Sequence, residues 1–210
     1  RPANPLLDVE DSEGDLDQQL SQEARAEYEA ILRTLEAAKW VSDPERLRFA
    51  EDRIVQLRTA RGIGFKIPET IITNSESEAR RFVAEHGRSC IKPIYLGQIT
   101  IADQLHNYHT AIVDSSDDGF FSRVRNFPVL MQEYIEKESE FRITVVHKRV
   151  FPVRIGGYQT QAAAIDWRVE NGTQVDYQST SLDQGLSDRV LRITADLGLE
   201  FAAMDIIRSR

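Results

Sequence analysis

Two charged side chains, Glu140 and Arg142, stand two residues apart in the apolar segment EFRITVVH. Because side chains alternate along a strand, Phe141, Ile143 and Val145 are predicted to face the core while Glu140 and Arg142 share the opposite face. A carboxylate there can accept hydrogen bonds from a sugar diol, and a guanidinium can bind a phosphate. The alternative is a cross-strand salt bridge.

A second charged pair, Asp166 and Arg168, flanks Trp167 in the segment AAAIDWRV. If this segment is a strand, Asp166 and Arg168 point to one face and Trp167 points to the other. The pattern then places a base beside an anion-binding group. The alternative is a local ion pair anchored by a packed tryptophan.

Two further charges, Lys92 and Asp205, interrupt apolar segments that are predicted to be strands, CIKPI and FAAMDII. A lysine among apolar residues requires a charged partner or access to solvent. A phosphate or a carboxylate would satisfy Lys92. Asp205 is either a Mg²⁺ ligand, since that ion prefers carboxylate and phosphate oxygens, or an acceptor for a helix cap or the backbone.

The composition excludes several classes of protein. Lys and Arg number 26 and Asp and Glu number 34, a net charge of −8 that argues against non-specific nucleic-acid binding. No apolar run approaches the ~18 residues of a membrane span. A single cysteine, Cys90, favours a reducing, cytoplasmic setting. The sequence contains no P-loop, no G-x-G-x-x-G and no G-x-S-x-G.

The elements that must position these side chains follow from apolar periodicity and capping signals. We predict helices over 18–39, from Ser42 to Gly62, from Ser75 to Gly87 and from Ser187 to Gly198. We predict strands over 67–73, 89–96, 128–135, 140–147, 150–156, 162–169 and 199–207, with residues 97–127 rich in loops. Helices and strands in this order indicate an α+β fold.

The ordered segments resemble the ATP-grasp fold. Within it they resemble the ligases that cyclise ribosomally made peptides, the microviridin-type or graspetide maturases. The resemblance runs from Trp40 onward, through WVSDP, GFKIPETIITN, IKP, MQEYI, EFRITVV, IDWR and MDII. It implies an ATP-grasp fold that is incomplete at both ends, with two α+β subdomains clasping a nucleotide cleft. We expect an acidic linker and helical segment at 1–64, an N-terminal subdomain at 65–130 and a truncated C-terminal subdomain at 131–210.

The resemblance also assigns roles around ATP and Mg²⁺. Lys92 and Arg142 match residues near the phosphates, and Glu140 matches the acid that holds the ribose. Asp205 matches the first Mg²⁺ ligand, and Arg53 stands where the family has a second ATP-binding lysine. The adenine hinge matches Gln132, Glu133, Tyr134 and Ile135.

At the reaction centre, Asp166 and Arg168 match an Asp-x-Arg pair. The resemblance implies that Arg168 holds the acyl phosphate or the reacting carboxylate, and that Asp166 accepts the proton of the attacking nucleophile. The Glu-x-Asn metal segment expected after Asp205 is absent before Arg210, so we expect an incomplete Mg²⁺ site and a fragment inactive alone.

The implied function is a cytoplasmic ligase that phosphorylates Asp or Glu side chains of a precursor peptide and closes ester or amide macrocycles. Its implied partners are that peptide, with its leader and acidic core, and a second copy of the chain in a homodimer. Two alternatives stay open. One is an ATP-grasp carboxylate–amine ligase that adds amino acids to a protein or peptide, and the other is a degenerate binding module without catalysis.

Overall fold

The computed structural model describes residues 13–35, 39–92, 94, 98–101, 104–107 and 110–209. The acidic residues at positions 1–12, part of the predicted linker, lie outside this description. The chain divides into two units, Arg1–Trp40 and Val41–Arg210. No helix among the described residues is both long enough and apolar enough to cross a membrane.

In the first unit, helix α1 spans Glu13–Thr34, so the predicted helix at 18–39 exists but begins and ends earlier. Its apolar stripe includes Tyr28, Ile31 and Leu35, and all three side chains are exposed.

The second unit opens with two short helices, α2 at Pro44–Glu51 and α3 at Arg53–Gly62, where the periodicity predicted one. The Asp52 carboxylate accepts hydrogen bonds from the backbone N–H groups of Ile54 and Val55. It therefore caps a new helix and ends the preceding one.

The first sheet has the strand order β1-β6-β2-β5 and is antiparallel throughout. Its strands are β1 at Thr70–Thr73, β2 at Ser89–Lys92, β5 at Ala111–Val113 and β6 at Val129–Glu133. Helices α4, at Glu76–His86, and α5, at Asp118–Val124, pack on one face of it through a buried apolar cluster. Strand β1 is shorter than predicted because Pro68, which lacks an N–H group, lies just before it.

A separate hairpin pairs β3 at Gln98–Ile101 with β4 at Gln104–Asn107. The sequence predicted loops over 97–127. The structure instead has the two hairpin strands, strand β5 and helix α5 in this range. These elements are only three to seven residues long, which leaves too little periodicity to detect.

The second sheet has the order β10-β7-β8-β9 and is also antiparallel. Its strands are β7 at Lys137–Val146, β8 at Arg149–Gly156, β9 at Asp176–Ser179 and β10 at Phe201–Ser209. Helix α7, at Gln184–Asp196, covers one face. The core around it includes Phe141, Ile143, Val145 and Val190, so the predicted alternation along β7 is confirmed. The two sheets with their helices confirm the α+β prediction.

The predicted strand at 162–169 is wrong. Residues Gln161–Ile165 form helix α6, capped by the Thr160 side chain, which accepts a hydrogen bond from the Ala163 N–H group. Three consecutive alanines after this cap favour helix over strand. Asp166 then adopts an extended conformation, and Val169–Gly172 forms a 3₁₀ turn.

Candidate functional site

A cleft of about 2160 Å³ is lined by residues of both sheets and by α2, α3 and α7. It is larger than the roughly 300–1,000 Å³ of an ordinary small-molecule pocket. All the site residues predicted from the sequence line it: Arg53, Lys92, Gln132, Glu133, Tyr134, Ile135, Glu140, Arg142, Asp166, Arg168 and Asp205. Residues scattered over 153 positions of the chain therefore share one space.

On the first sheet, a row of hydrogen bonds crosses three adjacent strands. The Lys92 ammonium donates to Gln132 Oε1 at 2.8 Å, and Gln132 Nε2 donates to Thr70 Oγ1 at 2.9 Å. The amide of Gln132 is buried, so its orientation is fixed by both neighbours. Lys92 thus bonds to a neutral amide oxygen rather than to a carboxylate.

The positive charges near Lys92 act on one another. Burial lowers the pKa of Lys92, and the charges of Arg53 and Arg168 lower it further, while Cys90 and Asp166 act in the opposite direction. Burial and the charge of Arg168 likewise lower the pKa of Arg53. Each shift means that the charged form is disfavoured here without an added anion. The region therefore suits a ligand with several negative charges.

The predicted hinge, residues 132–135, continues β6 toward β7. The Glu133 N–H donates to the Glu69 carbonyl and the Tyr134 N–H donates to the Arg88 carbonyl, both at 3.0 Å. These two donors are occupied by the protein itself and cannot also read a base edge. The Arg88 guanidinium packs against the Tyr134 ring, with Arg88 Cζ 4.6 Å from the ring centroid.

On the second sheet, Glu140 is buried and paired with Lys137, whose ammonium lies 2.7 Å from Glu140 Oε2. The Tyr158 hydroxyl donates to the same oxygen at 3.3 Å. Burial, followed by the charge and hydrogen bond of Glu140, raises the pKa of Tyr158 to about 12. Both hydrogen bonds use Oε2.

Next to Glu140 along the sheet, Arg142 donates to Asp205 Oδ1 at 2.9 Å, across directly paired positions of β7 and β10. A cross-strand salt bridge, the alternative left open for this face, therefore exists between Arg142 and Asp205. The second Asp205 oxygen lies 3.8 Å from Arg168 Nη1. One carboxylate thus lies between two guanidinium groups.

Asp166 and Arg168 form a two-point ion pair, with Nε to Oδ1 at 2.8 Å and Nη2 to Oδ2 at 3.0 Å. Thr110 also donates to Asp166 Oδ2, through its N–H at 3.2 Å and its hydroxyl at 3.3 Å. Burial by itself raises the pKa of Asp166, but the hydrogen bonds and charge of Arg168, with help from Thr110, hold that pKa well below its usual range. A carboxylate so stabilised in its charged form is a weak proton acceptor.

The fold has counterparts among solved structures. A RiPP-associated ATP-grasp ligase of Chryseobacterium gregarium, solved with ADP and a leader and core peptide, matches with a TM-score of 0.81 at 28% identity. The match covers 91% of this chain and 58% of that one. The macrocyclase MdnC of Microcystis aeruginosa MRC, bound with the precursor peptide MdnA, matches with a TM-score of 0.77 at 23% identity, over 97% of this chain and 62% of that one.

The chain has the ATP-grasp fold. It spans about three fifths of the length of these two solved relatives. Among curated sequences, an uncharacterised protein of Methanocaldococcus jannaschii is 27% identical over 97 residues, which is 46% of this chain and 23% of that protein. No family model matches the chain.

The donor set of the ATP-grasp cleft determines how a Mg²⁺ ion would fit. Within the described ranges, no three His, Cys, Asp or Glu side chains are grouped as a metal site. Asp205 offers one carboxylate, and Mg²⁺ commonly takes one or two carboxylates with phosphate oxygens and water completing the shell. The residues present therefore fit Mg²⁺ as a companion of bound phosphates and do not form a separate metal site.

Sequence reasoning missed three residues that contact charged side chains of the cleft: Lys137, Tyr158 and Thr110. A signal existed for Lys137, since lysine is scarce in this arginine-rich chain and this one lies three residues before Glu140. No local signal could connect Thr110 with Asp166, because 56 residues separate them.

Proposed function

We propose that the full-length protein is an ATP-dependent ligase that activates carboxylate side chains of a ribosomally made precursor peptide and closes ester or amide macrocycles. The observation that carries the proposal is that Lys92, Arg53 and Arg168 line one cleft, where burial and neighbouring positive charge lower the pKa of Lys92 and of Arg53, so that an anionic ligand would stabilise their charged forms. The likeness to the RiPP-associated ATP-grasp ligase, solved with ADP and peptide, supports it.

In this proposal the first sheet holds the phosphates. Lys92, fixed by Gln132, and Arg53 neutralise phosphate oxygens, while Arg142 approaches from the second sheet. Glu140 accepts hydrogen bonds from the ribose hydroxyls through Oε1, because its other oxygen is occupied by Lys137 and Tyr158. With the Glu133 and Tyr134 N–H groups occupied, the adenine edge is read at Ile135.

At the reacting end, a peptide carboxylate oxygen bonds to the γ-phosphorus of ATP and ADP leaves. A hydroxyl or amine of the same peptide then bonds to the acyl carbon as the bond from that carbon to the phosphate oxygen breaks, and its proton passes to the departing phosphate. Arg168 holds the negative oxygens, which is electrostatic stabilisation by a preorganised donor. Its half-exposed guanidinium faces the cleft, and Asp166 and Asp205 orient it.

Mg²⁺, when bound with ATP, would neutralise phosphate charge, and Asp205 would supply a ligand to it. We assign Asp166 chiefly to positioning Arg168, because its low pKa makes it a weak acceptor for the proton of the nucleophile. The sequence had given it that proton-accepting role, and the geometry favours the positioning role.

Mass spectrometry of a precursor peptide, encoded beside the gene and incubated with the full-length protein, ATP and Mg²⁺, tests the proposal. The expected product has lost one water per ring closed, with ADP and phosphate released in equal amounts. A peptide that instead gains the mass of an amino acid would identify a carboxylate–amine ligase. Nucleotide binding without any phosphate release in the presence of peptide would identify a binding module.

A further inference from the structure

Lys137 is a buried lysine that hydrogen-bonds to two different segments of the cleft lining. Its ammonium donates to Glu140 Oε2 at 2.7 Å and to the backbone carbonyl of Ile165 at 3.1 Å. The Lys137 and Glu140 side chains are 8% and 7% exposed. Ile165 is the last residue of α6 and directly precedes Asp166. One side chain therefore links the carboxylate proposed to hold the ribose with the segment that carries Arg168.

This contact depends on an irregularity in β7. Residues three apart in a regular strand point to opposite faces, so Lys137 and Glu140 would not meet. The pairing with β10 shifts here: Ser139 pairs with Arg208, whereas the next residue of β10, Ser209, pairs with Lys137. Glu138 is thus the extra residue of a β-bulge, which turns Lys137 to the face of Glu140.

The surroundings of the ammonium fix it in place. It lies 5.7 Å from the centroid of the Tyr158 ring, and the Tyr158 hydroxyl bonds to the same Glu140 oxygen. A buried lysine with a carboxylate, a carbonyl and an aromatic face around it has few alternative positions. The ammonium therefore connects Glu140 with the main chain at Ile165.

We infer that Lys137 is a positioning residue that couples nucleotide binding to the reaction centre. When Glu140 engages the ribose of a bound nucleotide, Lys137 sets the position of the Asp166–Arg168 pair through the Ile165 carbonyl. The inference rests on the proposed nucleotide site and adds to it a mechanical link between the sugar and the group that holds the reacting carboxylate.

Trp167 provides a reporter for this link because it lies between Asp166 and Arg168. The chain has two tryptophans, and the other, Trp40, belongs to the first unit. In a W40F chain, tryptophan fluorescence and its quenching by acrylamide report on Trp167 alone. Saturating ADP is expected to change both signals, with calorimetry confirming that ADP is bound.

The decisive variant is Lys137→Met, which keeps the length of the side chain and removes the ammonium. We expect K137M to lose more than half of the ADP-induced change in Trp167 at saturating ADP. Lys137→Arg retains a donor for both acceptors and is expected to preserve the response. Lys148→Met, an exposed lysine in the turn between β7 and β8, is the matched control and should leave the response unchanged.

The outcomes distinguish failure of the proposed function from failure of the inference about Lys137. If the full-length protein does not bind ADP, the proposed function fails and this inference fails with it. If ADP binds but Trp167 does not respond, or K137M responds as fully as the parent, only the inference is overturned.

Should K137M fail to fold, because it leaves Glu140 buried beside no ammonium, the comparison moves to Glu140→Gln. Adding K137M to the E140Q chain still removes the donor to the Ile165 carbonyl. Acrylamide quenching of Trp167 should then rise above that of E140Q alone, and equal quenching would overturn the inference.

Discussion

The two walls of the cleft hold their cations in different ways. On the first sheet, Lys92 bonds to the neutral amide of Gln132. On the second sheet, Lys137 lies against Glu140 and Arg142 lies against Asp205, and beside them Arg168, in the turn after α6, lies against Asp166. One wall leaves positive charge for a ligand, whereas the other uses its charges to fix geometry.

This difference separates binding from folding. A cation that bonds to a neutral group contributes little to the free energy of unfolding, so its removal should mainly lower ligand affinity. A cation that neutralises a buried carboxylate also supports the fold, because its removal leaves a buried charge. Substitutions on the two walls should therefore affect ligand affinity and the free energy of unfolding in opposite proportions.

The largest expected effect is at Arg168. In the full-length protein, Arg168→Ala should abolish ring closure while ADP still binds. It should also lower the free energy of unfolding by about 2 kcal/mol, because buried Asp166 loses its two-point partner while half of the guanidinium was exposed. Urea denaturation and peptide mass spectrometry measure the two effects.

The matched control for Arg168 is Arg192→Ala, which breaks an exposed i,i+4 pair with Asp196 on α7. It should change the free energy of unfolding by no more than about 0.5 kcal/mol. An R168A protein that is as stable as the R192A protein would contradict the idea that the second wall supports the fold.

Lys92→Met tests the opposite wall. It should weaken ADP binding by at least about tenfold, the effect of one hydrogen bond to a charged group. The free energy of unfolding should stay within about 1 kcal/mol, because removal of a buried charge offsets the donor lost to Gln132. Calorimetry and urea denaturation give the two values, and Lys66→Met, an exposed lysine that also lines the cleft, is the control. Unchanged ADP affinity in K92M would remove Lys92 from the phosphate site.

The two walls were also unequally predictable from the sequence. Lys92 could be found because a lysine in an apolar strand requires a partner, and the face shared by Glu140 and Arg142 followed from alternation along β7. Each of these inferences depends on the pattern within a single strand, β2 for Lys92 and β7 for Glu140 and Arg142. The contacts made by Lys137 required the bulge at Glu138, which alternation does not reveal.

The Asp166–Arg168 pair was found through a segment whose structure was predicted wrongly. The pair meets because Asp166 is extended after the helix that Thr160 begins, and a two-residue spacing there gives the same juxtaposition as a strand. The contact of Asp166 with Thr110 depends on the tertiary fold, since the two residues lie 56 positions apart in the chain. Local patterns therefore predicted the charged residues, and the packing of distant segments determined their partners.

A smaller effect is expected when the first wall is made to resemble the second. Gln132→Glu gives Lys92 a carboxylate partner but buries a second charge and removes the donor to Thr70, so the free energy of unfolding should change by no more than about 1 kcal/mol. The same carboxylate competes with phosphate, so ADP affinity should fall by roughly fivefold. Gln132→Leu separates charge from shape, because it should weaken both stability and binding. If Q132E bound ADP as tightly as the parent, the neutral charge of Gln132 would make no contribution to ADP affinity.

The smallest effect is expected from Tyr158→Phe, on the second wall. The pKa of Tyr158 is raised to about 12, above the value near 10 of an unfolded chain, so the neutral phenol contributes stability that is complete below about pH 10. That contribution is lost as the pH rises toward the folded pKa. Urea denaturation at steps from about pH 9 to about pH 11 should therefore show a steeper alkaline decline for the parent than for Y158F. The two proteins differ only at residue 158, so the difference between the two curves isolates Tyr158. Parallel curves would mean that the phenol does not sense the charge of Glu140, and that the second wall fixes this carboxylate through Lys137 alone.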